Sequence, residues 1–350
     1  MWADVILIGV KLAVGLTVLL TTVPIMVWVE RRGSALIQDR LGPNRVGPLG
    51  LLQPVVDVVK LLTKENLRPG GVRAFFFTLS PIIAVAIALS TFIAIPVARD
   101  TELSFFGYEV DGFLVAPDLN IGILYIFAMA SLGVYSLVLA GWSSDNKFAL
   151  FGGLRASAQT ISYELAMTIA VVGVLMSAGS LHLQQIVDAQ TGVWLGFLPR
   201  WNVFPQFLGA ITFLVAVFAE THRLPFDLPE AEAELVAGHH TEYSSMGFAA
   251  FYMSEYIHMT VASALVTILF FGGWNLPWID MPLGGWPGAL LSMAVFAVKV
   301  MFCMWCFVWV RWSLPRFRYD QLMVLGWKVM IPLAVLNFLW VGAGMALEYF

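Results

Sequence analysis

Charge and cysteine are both scarce in this chain. Only 12% of its 350 residues are Asp, Glu, Lys or Arg, about half the roughly 25% usual in soluble domains. Two cysteines exclude a disulfide framework and leave too few thiolates for an iron–sulfur cluster. There is no Gly-x-Gly-x-x-Gly fingerprint, Walker loop or haem-attachment motif. The chain by itself therefore has no recognised means of binding NADH or carrying electrons. It also lacks internal repeats and low-complexity segments.

What the chain has is apolar surface. It is 59% hydrophobic with a mean hydropathy of +0.83, which predicts an all-α, polytopic integral membrane protein forming one transmembrane domain over 1–350. Runs of apolar residues predict eight helices, at 5–29, 74–98, 119–141, 159–179, 203–221, 247–271, 287–311 and 326–346. Each is long enough to cross about 30 Å of hydrocarbon at about 1.5 Å per residue. The first run carries Asp4 and Lys11 and has no small-residue cleavage site, so it is read as a retained span rather than a signal peptide.

The basic residues sort by side. Arg31, Arg32, Arg40, Arg45, Lys60, Lys64, Arg68, Arg73, Lys147, Arg155, Arg223, Arg316 and Arg318 fall in the loops 30–73, 142–158, 222–246 and 312–325, against only Arg99 and Arg200 opposite. The positive-inside rule makes the first set cytoplasmic and puts both termini outside. Within loop 30–73, Glu30-Arg31-Arg32 is expected to close the first helix, and Arg40 to Pro48 is rich in turn residues. Leu52, Val55, Val56, Val59 and Leu62 then recur at helical spacing, which predicts a short amphipathic helix at the interface.

The stretch from Glu220 to Glu242 holds six carboxylates (Glu220, Asp227, Glu230, Glu232, Glu234 and Glu242) against Arg223. Helix capping after Pro229 accounts for one or two of them and leaves the rest without a structural reason. Glu230, Glu232 and Glu234 are close enough to titrate as a group. Glu164, Glu220, Glu255 and Lys299 lie in or at the ends of apolar helices, as does Glu30. Such groups are costly in lipid and fit a proton relay, the alternative being paired charges that fix helix packing. Glu255 and His258 are three residues apart and so on one helix face. Cys303 and Cys306 are read as packing residues. His239-His240 has poor chelating geometry, so no metal site is expected, and His182 and His222 are read as surface residues.

Glu30-Arg31-Arg32, Arg40 to Pro48, Ser157 to Glu164, Glu220 to Leu235 and Pro315 to Met323 together resemble a membrane-subunit family of respiratory complex I, the proton-pumping NADH:quinone oxidoreductase. The motifs lie in all four basic loops and the likeness covers essentially the whole chain. The resemblance implies a bacterial inner-membrane subunit with periplasmic termini. It implies a subunit that anchors the peripheral arm, forms most of the quinone access tunnel and couples quinone reduction to proton translocation. Arg31, Arg40, Arg223, Phe226, Arg311 and Arg316 would line or brace the quinone cavity, with Asp227 beside Phe226 in the loop above. Glu30, Glu164, Glu220, Glu230, Glu232, Glu234, Glu242 and Glu255, with Asp227 as a coupling group, would form a carboxylate path. No catalytic residue is expected, because the quinone headgroup ligands belong to a neighbouring subunit. The implied partners are peripheral quinone-module subunits, small membrane subunits, quinone and lipid, with no nucleic acid. No NAD, flavin or iron–sulfur cluster is expected in this chain. A related membrane-bound hydrogenase, a stand-alone ion-coupled transporter using Glu164, Glu255 and Lys299, and a purely structural assembly anchor are the alternative readings.

Overall fold

The computed structural model describes residues 2–99, 102–105, 108–111, 119–194, 196–229, 235–278 and 285–347. Its long helices are α1 (Trp2–Ile37), α3 (Ala74–Ile93), α4 (Gly122–Ser143), α5 (Lys147–Ala178), α7 (Phe207–Glu220), α8 (Ser245–Phe270) and α9 (Gly285–Ser313). The short helices are α2 (Gln53–Thr63) and α6 (Leu183–Asp188). The final span is built from α10 (Tyr319–Val324), a π-helical turn over Leu325–Met330 and α11 (Ile331–Ala346). Two small hairpins, β1–β2 (Glu102–Phe105 with Tyr108–Asp111) and β3–β4 (Val193–Trp194 with Leu198–Pro199), are the strands among the described residues.

Among the described residues, seven helices are long and apolar enough to cross a membrane. The fifth expected span is the exception. It is a helix of 14 residues, about 21 Å at 1.5 Å per residue, and it ends at the acid-rich stretch. Three expected boundaries move outward. Glu30-Arg31-Arg32 does not close α1, which continues through Ile37. The span expected from 159 begins at Lys147, because Asn146 caps it by accepting from Phe148 N at 2.8 Å. The last span begins at Tyr319 rather than 326.

Helix α8 is the hub. Of its most apolar stretch 83% is buried, and an all-round apolar helix belongs in a bundle interior. It packs on α1, α2, α3, α7 and α9. Small residues let α4 and α5 meet at backbone distance, as is usual between helices in lipid: a Cβ on Gly141 would stand 2.5 Å from Ala149 O. The amphipathic pattern of residues 52–62 becomes α2, whose Val55, Val56, Val59 and Leu62 stay about half exposed. The opposite face of α2 is pinned to α1 by Arg31–Asp57 at 2.6 Å.

Lys299 lies on α9, and its Nζ donates to the carbonyls of Phe271 (2.8 Å), Gly273 (2.9 Å) and Asn275 (2.6 Å). It closes the end of α8. It does not face the acids of the site described below.

Candidate functional site

The ionisable residues that composition made conspicuous collect where α1, α5, α7, α8 and α9 meet the loop after α7. At the centre is a charge cage. Glu30 on α1 is 6% exposed and Arg223, three residues beyond α7, is 3% exposed. Arg223 Nη1 donates to Glu30 Oε1 at 3.1 Å and to Oε2 at 3.0 Å. Arg311, from the last turn of α9, donates to Glu30 Oε1, and Tyr256 on α8 donates its hydroxyl to Oε2. Arg223 Nε lies 2.6 Å from Glu255 Oε1, and the guanidinium sits over the Tyr256 ring at 4.5 Å. Buried Glu30 and part-buried Glu255 therefore share the cations of Arg223 and Arg311. Burial opposes the charge of Arg223, but Glu255 and Glu30 outweigh it and hold the guanidinium charged well beyond the ordinary range.

The loop forms the roof of this cage. Arg316 Nη2 donates to Asp227 Oδ2 at 3.0 Å. Burial pushes the Asp227 carboxyl up, against the pull of Arg316 and Arg311. Phe226, 4% exposed, is wedged between Tyr163 and Phe317, each with its ring centroid 5.4 Å away. Gln159 on α5 ties the loop down, donating to Ala219 O at 2.7 Å and Phe226 O at 2.8 Å.

Beside the cage lies a cavity among α3, α4, α5, α7 and α8, of about 110 Å³, lined by Glu220, Glu255 and the four histidines His222, His239, His240 and His258. Glu255 and His258 both face it, as their spacing predicts. Its far wall is apolar, from Ile126, Phe127, Met167, Val217 and Leu265. Burial holds His222 and His240 down to about 4, His222 with help from His258, and holds His239 well below the ordinary imidazole range. The loop imidazoles are neutral at pH 7. His182 and His222 are not surface residues as expected: His182 is 5% exposed, and His222 turns inward because Gln159 (3.4 Å) and Thr160 (3.5 Å) meet its ring nitrogens.

The other expected site residues lie around this centre. Glu164 on α5 pairs with Ser131 Oγ of α4. Glu242 accepts from Asn146 Nδ2 at 2.6 Å, in a surface recess that also has Asp145 and Lys147 in its wall. Arg31 braces α2 rather than the cage. Arg40 is exposed, its backbone N–H bonding Ala35 O at 2.9 Å beyond α1. Glu230, Glu232 and Glu234 lie outside the described residues. Among those residues, no cluster of three or more His, Cys, Asp or Glu could hold a metal. Cys303 and Cys306 are free thiols, and Cys303 Sγ lies 3.8 Å from Thr267 Oγ1. The sequence reading missed Tyr256, its neighbour Tyr252, whose hydroxyl lies 3.0 Å from that of Tyr256, and the inward turn of His222. A tyrosine beside a buried acid is a usable signal, but the direction of His222 depends on Gln159, more than sixty residues away.

The family model described as NADH dehydrogenase matches residues 10–342. The chain is 45% identical to the H subunit of NADH-quinone oxidoreductase from Bdellovibrio bacteriovorus, over 94% of this chain and 93% of the relative. It is 46% identical to NADH-quinone oxidoreductase subunit 8 of Rhodothermus marinus, over 94% of each. Against the H 1 subunit of NADH-quinone oxidoreductase from Geobacter metallireducens it is 47% identical, over 95% of this chain and 94% of the relative.

Proposed function

The chain belongs to the NADH dehydrogenase family, as a subunit of NADH-quinone oxidoreductase, and from that premise we propose that its charge cage couples quinone chemistry to proton movement. In this reading the basic loops face the cytoplasm of a bacterial inner membrane, and the termini are periplasmic. Peripheral quinone-module subunits dock on the loops, and small membrane subunits and lipid surround the spans. Quinone enters beside the half-exposed apolar face of α2, and its headgroup comes to rest above Asp227 and Arg316.

The observation that carries the reading is the position of Glu255. It belongs to the cage through Arg223 and to the histidine-lined cavity through its other side. Reduction of a quinone to the quinol takes up two electrons, delivered by partner subunits, and two protons. Negative charge gathering near Asp227 draws on Arg316 and Arg311, which loosens the hold of Arg311 on Glu30. Arg223 then follows Glu30, and Glu255, losing its cation, takes a proton from the cavity side, because a buried carboxylate without a cation favours its neutral form. Glu220 and Glu164 continue the path into the membrane.

Replacing Glu220 or Glu255 by Gln in the assembled complex tests this. Quinone reductase activity and proton pumping in proteoliposomes are expected to fall together in both variants. Full coupled activity in both would sink the proposal. The transporter reading finds no support in Lys299, which is occupied by three carbonyls.

A further inference from the structure

The carboxylate path explains neither the histidines of the loop nor why they face a cavity. His239 and His240 form a short 3₁₀ turn, Gly238–His240, packed on α4 and α5. Gly152 of α5 makes this possible: a Cβ there would stand 2.7 Å from both Gly238 Cα and His239 N. The close approach pushes His239 inward to 5% exposure. Its Nδ1 is buried without a hydrogen-bond partner, although the side chain lines the cavity. A buried imidazole nitrogen without a partner is costly and marks a place where a polar guest is received. His240 adjoins it, with ring centroids 5.0 Å apart and ring planes at 88°. Two residues further on, Glu242 lines the surface recess beside Asn146 and Lys147. At the inner end, His222 follows Glu220 by two residues, and both line the same cavity.

We propose that His240, His239 and His222 form a proton inlet, carrying protons from the loop-side recess at Glu242 through the cavity to Glu220. The inlet bypasses the Arg223 cage, and it rests on the reading of Glu220 as a member of the proton path. A neutral imidazole holds a proton on one ring nitrogen and a lone pair on the other. It accepts a proton on the bare nitrogen and releases the one it held from the opposite side, so no net charge stays behind after each hop. Water in the cavity spans the gaps. The depressed basicity of the three loop histidines suits a site that passes a proton on rather than storing it. The charged or titratable groups facing the turn from the cavity wall are Glu220 of α7 and Glu255, His258 and Tyr252 of α8. The α3, α4 and α5 walls contribute Thr91, Ser136 and Thr160, none of them charged. The carboxylates are therefore the destination.

The test uses the assembled complex in proteoliposomes, with His239→Gln, His239→Ala and Glu220→Gln assayed side by side for quinone reduction and pumping across a pH series. His239→Gln keeps bulk and hydrogen-bonding capacity but cannot relay a proton. It is expected to slow coupled turnover by about tenfold or more, one positioned proton carrier contributing roughly 10²–10⁴-fold where nothing replaces it, with the deficit deepening at alkaline pH. Added imidazole is expected to restore His239→Ala, an effect that a merely structural histidine would not show. Full turnover of His239→Gln across the pH range would overturn the inlet, and so would an impaired His239→Ala that imidazole leaves unchanged. Glu220→Gln separates the two readings. If it pumps normally, the carboxylate path fails and takes the inlet's destination with it. If it is inactive while His239→Gln is normal, only the inlet fails.

Discussion

Arg223 Nη1 bonds both carboxylate oxygens of Glu30, at 3.1 and 3.0 Å, across 193 residues of sequence. The bond fastens the loop after α7 to the first helix, and the second face of the same guanidinium meets Glu255 on α8. One side chain thereby fixes three elements around two acids. A buried pair of this kind is weak evidence of net stabilisation, but removing one partner leaves a buried charge unanswered.

Arg223→Ala is therefore expected to lower stability by about 3–5 kcal/mol, the range for breaking a buried ion pair. Thermal dissociation of the solubilised complex measures it. Arg223→Lys keeps the charge but cannot engage Glu30 and Glu255 in the same geometry. It is expected to assemble better than the alanine variant while losing quinone reductase activity.

Lys299→Met leaves the carbonyls of Phe271, Gly273 and Asn275 without their shared donor. A loss of about 1.5–3 kcal/mol follows from one hydrogen bond to a charged group, with greater protease sensitivity at the turn after α8. Quinone reduction in complexes that assemble is expected to stay near normal, because the ammonium does not face the cage. A selective loss of pumping with unchanged stability would contradict the capping role.

Gly152→Ala puts a methyl group 2.7 Å from the backbone of Gly238 and His239. Neither backbone can yield without moving the turn, so a loss of about 1–3 kcal/mol is expected, as for an overpacked core. Gly153, its neighbour, meets a different partner, Leu137 O at 2.8 Å. Gly153→Ala is therefore expected to loosen α4 from α5 while sparing the pH response assigned to His239. Thermal melts of both variants, with the pH profile of turnover, separate the two effects.

Burial sets the acid limit of stability. His222 and His240 sit at about 4 in the fold, against 6.5 for a free imidazole. Between those values the unfolded chain binds more protons than the folded one, so stability rises with pH across that window. The contribution is fully present above about 6.5 and is lost as pH falls toward 4. The melting temperature of the purified complex is expected to drop over this interval, and less steeply in His222→Asn. An equally steep drop in that variant would remove His222 from the account.

Much of the fold was legible because a bilayer leaves few choices. Where hydrocarbon excludes water, backbone groups must pair within a helix, so most of a run such as 74–98 or 119–141 is helical whatever its neighbours, although the helices themselves span Ala74–Ile93 and Gly122–Ser143. Boundaries were less legible because local caps and polar faces override hydropathy. Asn146 starts α5 within a stretch that reads as loop, and α1 runs on through Glu30-Arg31-Arg32 to Ile37, carrying Glu30 to Arg223 and Arg311. The site was legible as a set of residues but not as an arrangement. Glu30, Glu220, Asp227, Glu255, Arg223, Arg311 and Arg316 stand out in sequence because ionisable groups are rare in such a chain. Arg31 stands out equally and braces α2 instead.

The sequence by itself determined the class of the protein, the number of apolar runs and the identity of the ionisable residues, since composition and periodicity respond directly to hydrocarbon. Tertiary structure alone decided which acid meets which base. Glu30 is claimed by two arginines and a tyrosine from two distant helices and a loop, Lys299 is spent on three carbonyls, and His239 is turned into a cavity by a glycine on α5. Each outcome depends on distances between segments far apart in the chain, where the pairwise energies of charge and hydrogen bonding are strong but carry no local signature.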